Sequence, residues 1–356
     1  MNVLRRYVSS SILRSVGTVL MVLVVVTSLV QFVAQLDDIG VGSYGLREAL
    51  LFVFLGIPQT VVQALAAATL LGALLALGHL ATQSELVAMR AAGVSTLQLC
   101  GAVGVAGFVL AVAVGLLGDS FGPTLGAYAR EMRAQTLLDD SVLASGQSTW
   151  LKEGNVIVNL RRGNGDLAFD SGVYLFEFGN DRVLTAIGRG ESAELDERSE
   201  WALVNYAETR FSDDGVAVAT QPESEQRYAF NTELFGLSVV RHDLLATPAL
   251  RRYIDYLTTN GLDARRYVIA YWSRWAEVVS VPFMALLALA FVFGGLRSAG
   301  TGARLVVGLI IGLGFYVADE VMSNSGAVFD LDPLVVAWAP TVALVIVVVT
   351  ALARLR

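Results

Sequence analysis

The stretch Gln83-Ser84-Glu85-Leu86-Val87-Ala88-Met89-Arg90-Ala91-Ala92-Gly93-Val94-Ser95 sits between two long uncharged runs, 49–84 and 91–118. Each run exceeds the roughly 20 residues that a helix needs to cross a bilayer. The stretch is therefore a short loop between spans, and its own pattern is helical. Ser84 is a capping candidate, Leu86 and Met89 fall three apart on one face, Glu85 and Arg90 supply charge, and Gly93 can end the turn. A short helix parallel to the membrane fits these residues. It has two readings: a docking element that passes a soluble partner's motion to the attached spans, or an amphipathic connector.

Composition agrees with a membrane setting. The 356 residues are 55% hydrophobic and 16% charged, with a mean hydropathy of +0.61, against a charged fraction of about a quarter in soluble domains. The net charge of −7 and the lack of a basic cluster exclude a phosphate-tracking nucleic-acid binder. Lys152 is the sole lysine and Cys100 the sole cysteine, so neither an internal disulfide nor a cysteine metal cluster is expected. His79 and His242 stand far apart in unlike contexts, and no metal or other cofactor is expected. Walker A, GxSxG, HExxH and paired CxxC signatures are all missing, so nothing supports an enzyme.

Along the chain, Arg5, Arg6 and Arg14 precede an uncharged run, 15–36. It is longer than a signal-peptide core and reads as a retained first span with a cytoplasmic amino terminus. Pro58, after Gly56, is expected to split 49–84 into an interfacial piece and a second span near 59–81. A third span follows near 96–118, with Gly101, Gly104 and Gly107 as a small-residue packing face. From Asp119 to about 265 the composition turns polar. Alternating runs at 155–160, 173–178 and 201–206, with a turn at Gly179-Asn180-Asp181-Arg182, read as strands of an all-β unit. Thr247-Pro248 opens a helix that Gly261 ends, and spans four to six are expected at 278–296, 305–323 and 333–353. Gly308 and Gly312 form a GxxxG contact face in the fifth, and Asp319 and Glu320 are expected near its outer boundary.

The fold class is thus an α-helical membrane protein with six transmembrane helices plus an all-β, jelly-roll-like periplasmic domain. Its parts are 1–119 (spans one to three, with the connecting helix at 84–95), 120–265 (the β domain with flanking helices) and 266–356 (spans four to six). Arginines at each expected cytoplasmic end place both termini inside.

The order of these elements, with SELVAMRAAG (84–93), STWLKEGNVIV (148–158), YLTTNGLDARRY (256–267) and FVFGGLRSAGTGARLVVGLIIGLGFYVADE (291–320), resembles the LptF/LptG permease family of lipopolysaccharide-export ABC transporters. The likeness covers essentially the whole chain, and the tryptophan-bearing start of the β domain and the carboxy-terminal half are closer to the LptG branch than to LptF. A mechanotransmission-type permease fits the three-plus-three span order poorly. A β-domain scaffold has no need of the helix at 84–93.

The resemblance implies a non-catalytic permease in the bacterial inner membrane. Its implied partners are an LptF-like permease, an LptB-like ATPase dimer and an LptC-like single-span periplasmic protein. Lipopolysaccharide would enter sideways from the outer leaflet, among the membrane lipids, and move toward a β-jellyroll bridge. By the same resemblance Glu85, with Leu86, Met89 and Arg90, couples to the ATPase, and Arg130 and Arg133 meet the headgroup phosphates. Their competing role is to orient the β domain through acidic residues such as Asp139 or Asp140. Leu20 and Val24 in the first span, with Leu313 and Tyr316 in the fifth, are candidates for the lipid cavity. The chain departs from the family at Asp37 and Asp38, where basic residues are frequent; as free carboxylates these two would repel phosphate.

Overall fold

In the computed structural model the described residues are all but 1, 138–147, 162–171, 180, 182, 196–200, 213–214, 229–242, 244, 295–299, 330 and 355–356. Helix α1 (Asn2–Val33) and α2 (Leu46–Thr82) are joined by a loop containing a one-turn helix at Leu36–Asp38. The short α3 (Glu85–Ala91) leads to α4 (Thr96–Leu116), which passes through a π-helical turn, Leu117–Phe121, into α5 (Gly122–Leu137). Seven strands follow, β1 (Ser148–Glu153), β2 (Val156–Arg161), β3 (Val173–Phe178), β4 (Leu184–Gly190), β5 (Ser192–Leu195), β6 (Trp201–Ser212) and β7 (Gly215–Tyr228). Helices α6 (Thr247–Thr259), α7 (Arg265–Phe293), α8 (Thr301–Val328) and α9 (Pro333–Ala353) close the order. Among the described residues, six helical segments are long and apolar enough to cross a membrane: α1, α2, α4 with α5, α7, α8 and α9.

Two expectations about helix ends are corrected. Pro58 does not divide the second span, because α2 runs unbroken through it. A proline inside a helix frees the carbonyl four residues back. An apolar surrounding makes a broken helix costlier still, since both new ends would hold unsatisfied backbone groups. Thr60 also bonds the nearby backbone, its Oγ1 donating to the Gly56 carbonyl at 3.2 Å. Likewise Thr247 does not cap α6. The cap position is Ala246, and the Thr247 hydroxyl is taken by Arg274 Nη1 at 3.1 Å. By contrast, α4 starts on a reciprocal capping box, in which Gln98 N donates to Ser95 Oγ and Ser95 N to Gln98 Oε1.

The helical core is held by close crossings. With no hydrophobic drive between helices in lipid, contact depends on small residues that let backbones approach. A Cβ on Gly72 of α2 would lie 2.5 Å from Val16 Cα of α1, and one on Gly107 of α4 would lie 2.6 Å from Pro282 Cα of α7. Gly101 and Gly104 meet nothing within 4 Å, so of the expected glycine face only Gly107 is a crossing. Gly308 faces Leu71 and Leu74 of α2, and Gly312 faces Ala67. Arg304, one of the arginines at the expected cytoplasmic end of the fourth span, is 2% exposed and lies against Gly78. The missing side chain there is what makes room for a guanidinium.

The sheet is antiparallel throughout, in the order β1-β2-β3-β4-β6-β5 with β7 on the other edge of β6. Alternation works as the period of two requires. Val173 and Leu175 of β3 are buried with Val158, Ala186 and Leu203, while Trp150 stacks on Phe176 at 5.9 Å. The expected turn at 179–182 falls partly on Asn180 and Arg182, which lie outside the described residues.

The sheet is bolted to α6. Tyr256 Oη donates to the Lys152 carbonyl at 2.8 Å, Lys152 N donates to that hydroxyl at 3.1 Å, and Lys152 Nζ donates to the Asn260 carbonyl at 2.8 Å. At the other end of α6, Thr247 N donates to Asp119 Oδ1 at 2.7 Å and Arg274 Nη2 to the Leu245 carbonyl at 2.6 Å. Among the described residues, α6 thus links the sheet to the π-helical turn of the third span, while Leu245, just before α6, bonds to Arg274 of α7.

Candidate functional site

Arg130 and Arg133 lie three apart on α5, the helical extension of the third span, and so share a face. Both are paired. Arg130 Nη2 donates to Asp243 Oδ2 at 2.8 Å, and Arg133 Nη2 donates to Asp38 Oδ2. Each guanidinium is about one-third exposed. Neither pairing was expected from sequence, and Asp139 and Asp140, the acidic residues considered, lie outside the described residues. Asp38 is therefore no free carboxylate; Asp37 is exposed beside it.

Each pairing uses half of its fork. Arg130 Nη1 and Arg133 Nε are shielded from solvent yet, among the described residues, have no hydrogen-bond acceptor of good geometry, although the Tyr44 phenol lies near Arg133. The Arg133 guanidinium also lies 5.7 Å from the centre of the Phe52 ring. Tyr44, buried beside it, donates to Gln35 Oε1 at 3.2 Å. Burial raises the pKa of its phenol, and Arg133 pulls the other way. The loop carrying Asp38 is pinned independently of the ion pair, since Ser43 N and Ser43 Oγ both donate to the Thr136 carbonyl, at 2.8 and 3.2 Å. Farther in, Arg274 feels the charges of Asp119, Glu277 and Asp243, and Glu277 of α7 faces Asp319 of α8. Sequence reasoning missed Asp243, Arg274 and Glu277, because partners separated by up to 113 residues leave no local spacing to read.

At the opposite end, α3 presents a different surface from the one its pattern suggests. Ser84 has a left-handed backbone (φ 60°) and makes no side-chain cap. Leu86 is 2% exposed and Met89 packs with it onto the protein's own helical core, so the apolar stripe faces inward. Glu85, Val87 and Arg90 remain toward the outside. The Glu85 carboxylate accepts from Tyr7 Oη of α1 at 2.9 Å, and Arg90 lies 5.6 Å from the Phe293 ring of α7.

The cavity candidates divide. Leu313 and Tyr316 of α8 are open, at 56% and 48% exposure. Leu20 packs against the helical core and Val24 is half-buried, whereas the open stripe of α1 is Met21, Val22, Val25, Val26, Leu29 and Val30. The crossing at Gly72 and Val16 fixes this rotation of α1, which an all-apolar sequence does not disclose.

A bundle of membrane-crossing helices with open apolar faces, an arginine pair at one end, a short connecting helix at the other and an antiparallel β unit is a multi-pass permease. The chain belongs to the lipopolysaccharide export system permease LptF/LptG family, which it matches over residues 6–354. It is 31% identical over 356 residues to the lipopolysaccharide export system permease protein LptG of Haemophilus influenzae, covering 100% of this chain and 99% of that one. To the LptG of Escherichia coli K12 it is 32% identical over 341 residues, covering 95% of this chain and 94% of the relative.

Proposed function

We propose that this chain is an LptG-type subunit that takes lipopolysaccharide from the outer leaflet of the inner membrane and hands it to a periplasmic bridge leading to the outer membrane. The carrying observation is that α1 and α8 each leave an apolar face open while Arg130 and Arg133 stand together at one end of the bundle. An amphiphile with many acyl chains needs an apolar surface that opens sideways. Its phosphates need charge-assisted donors at the end of that surface, and arginine supplies them in a fork. An LptF-like permease would complete the cavity, and an LptC-like protein would extend the β unit. The chain performs no catalysis in this reading; an LptB-like ATPase dimer docks on α3 from the cytoplasm. Both termini are cytoplasmic, the β unit is periplasmic, and the functional parts are 1–119, 120–265 and 266–356.

The test is photocrosslinking of lipopolysaccharide to a probe at Gln135, exposed on α5, in the assembled complex. Charge-assisted bonds contribute roughly 1.5–3 kcal/mol each, so replacing Arg130 and Arg133 by Glu should lower crosslinking at least about tenfold while the partner chains still copurify. Equal crosslinking in variant and wild type would remove the arginines from the substrate path.

A further inference from the structure

The two arginines reach the substrate reading already occupied, and by monodentate carboxylates. Arg133 gives Nη2 to Asp38 while Nε, on the same edge of the guanidinium, is shielded and has no acceptor among the described residues. Arg130 gives Nη2 to Asp243 while Nη1 is left in the same condition. A shielded donor without an acceptor is costly, and a phosphate, with three oxygens on one centre, can serve both prongs where a single carboxylate oxygen serves one. The four side chains Arg130, Arg133, Asp38 and Asp243 also sum to zero charge. Within that set an approaching anion gains net attraction once a carboxylate leaves.

Resting on the assignment of the arginines to the headgroup, we propose that Asp38 is a built-in competitor for the lipid phosphate. The phosphate takes both prongs of Arg133 by displacing Asp38, and Asp38 thereby sets how highly charged a headgroup must be to hold the site. Asp38 rather than Asp243 has this role because its loop is fixed without the ion pair. Ser43 holds it to the Thr136 carbonyl, and a Cβ on Gly42 would lie 2.6 Å from that same oxygen. The carboxylate can swing away while its backbone stays. Asp243 also interacts with Arg274, alongside Asp119 and Glu277, so it answers to two cations rather than to one.

The experiment measures lipopolysaccharide retained per purified complex after a fixed salt wash, with native and enzymatically dephosphorylated lipid. Asp38→Asn should raise retention of native lipid roughly two- to fivefold, the range set by removing a part-exposed ion pair. Dephosphorylated lipid should not respond. Asp37→Asn makes the same charge change one residue away and should leave retention unaltered, and added inorganic phosphate at equal concentration should not displace the lipid. Arg133→Gln should lower retention. If it does while Asp38→Asn has no effect, the competitor role falls and the arginine assignment stands; if Arg133→Gln has no effect, the arginine assignment itself falls. An equal rise with Asp37→Asn would reduce the effect to bulk charge, and displacement by inorganic phosphate would make the site one for free anions. Should neither Asp38→Asn nor Asp38→Ser assemble, the pair is structural and the proposal is overturned.

Discussion

Glu85 is held before any partner arrives. Its carboxylate accepts from Tyr7 Oη at 2.9 Å, so the first helix orients the acidic residue of α3. Beneath it Leu86 is buried and anchors the helix to the core, which leaves Glu85 with Val87 and Arg90 as the groups that α3 presents. Truncating one member of a desolvated charge pair costs about 2–5 kcal/mol, so Glu85→Ala should weaken ATPase association on the order of thirtyfold or more, with charge reversal worse. Tyr7→Phe keeps the ring and removes only the orienting bond; its loss should be smaller than that of Glu85→Ala. Copurification of the ATPase with each variant decides the matter. Unchanged association and transport in both Glu85 variants would return α3 to the part of a connector.

At the scale of elements, Gly107 and Gly104 stand on one helix and differ in consequence. A Cβ at 107 runs into the Pro282 backbone, while one at 104 meets open space. Overpacking a close crossing costs roughly 1–3 kcal/mol, so Gly107→Ala should lower the melting temperature of the purified complex and Gly104→Ala should not. Equal behaviour at the two positions would show that the crossing of α4 on α7 does not depend on backbone contact. This contrast marks how far the sequence could be read. Span number was legible because hydrocarbon thickness demands uncharged runs of a set length; the last helix, Pro333–Ala353, matches its expected bounds residue for residue. Strand β3 was legible because alternation at 173–178 has the period of the pleat. The rotation of α1 was not, since a helix apolar on every side carries no periodic signal. Nor were the partners of Arg130 and Arg133, which loops and distant helices bring in from 113 and 95 residues away.

For the whole molecule, the connections run in series from one end to the other. Glu85 and Tyr7 tie α3 to α1, the crossings at Gly72, Gly308 and Gly312 tie α1 and α8 to α2, and α6 links the third span to Lys152 of the sheet. Such a series transmits motion from an ATPase to a periplasmic bridge only if α3 and the sheet lie on opposite sides of the membrane. The proposed topology, argued from arginine placement, has α3 inside. In a background with Cys100 replaced by Ser, a cysteine at Gln83, exposed next to α3, should therefore resist an impermeant thiol reagent in intact spheroplasts and react after lysis. A cysteine at Val183, 59% exposed at the tip of the sheet, should react in both. Labelling of position 83 from outside would invert the molecule in the membrane. The arginine pair would then face the cytoplasm, where no lipid phosphate leaving the outer leaflet could reach it, and the export reading would fail with the topology.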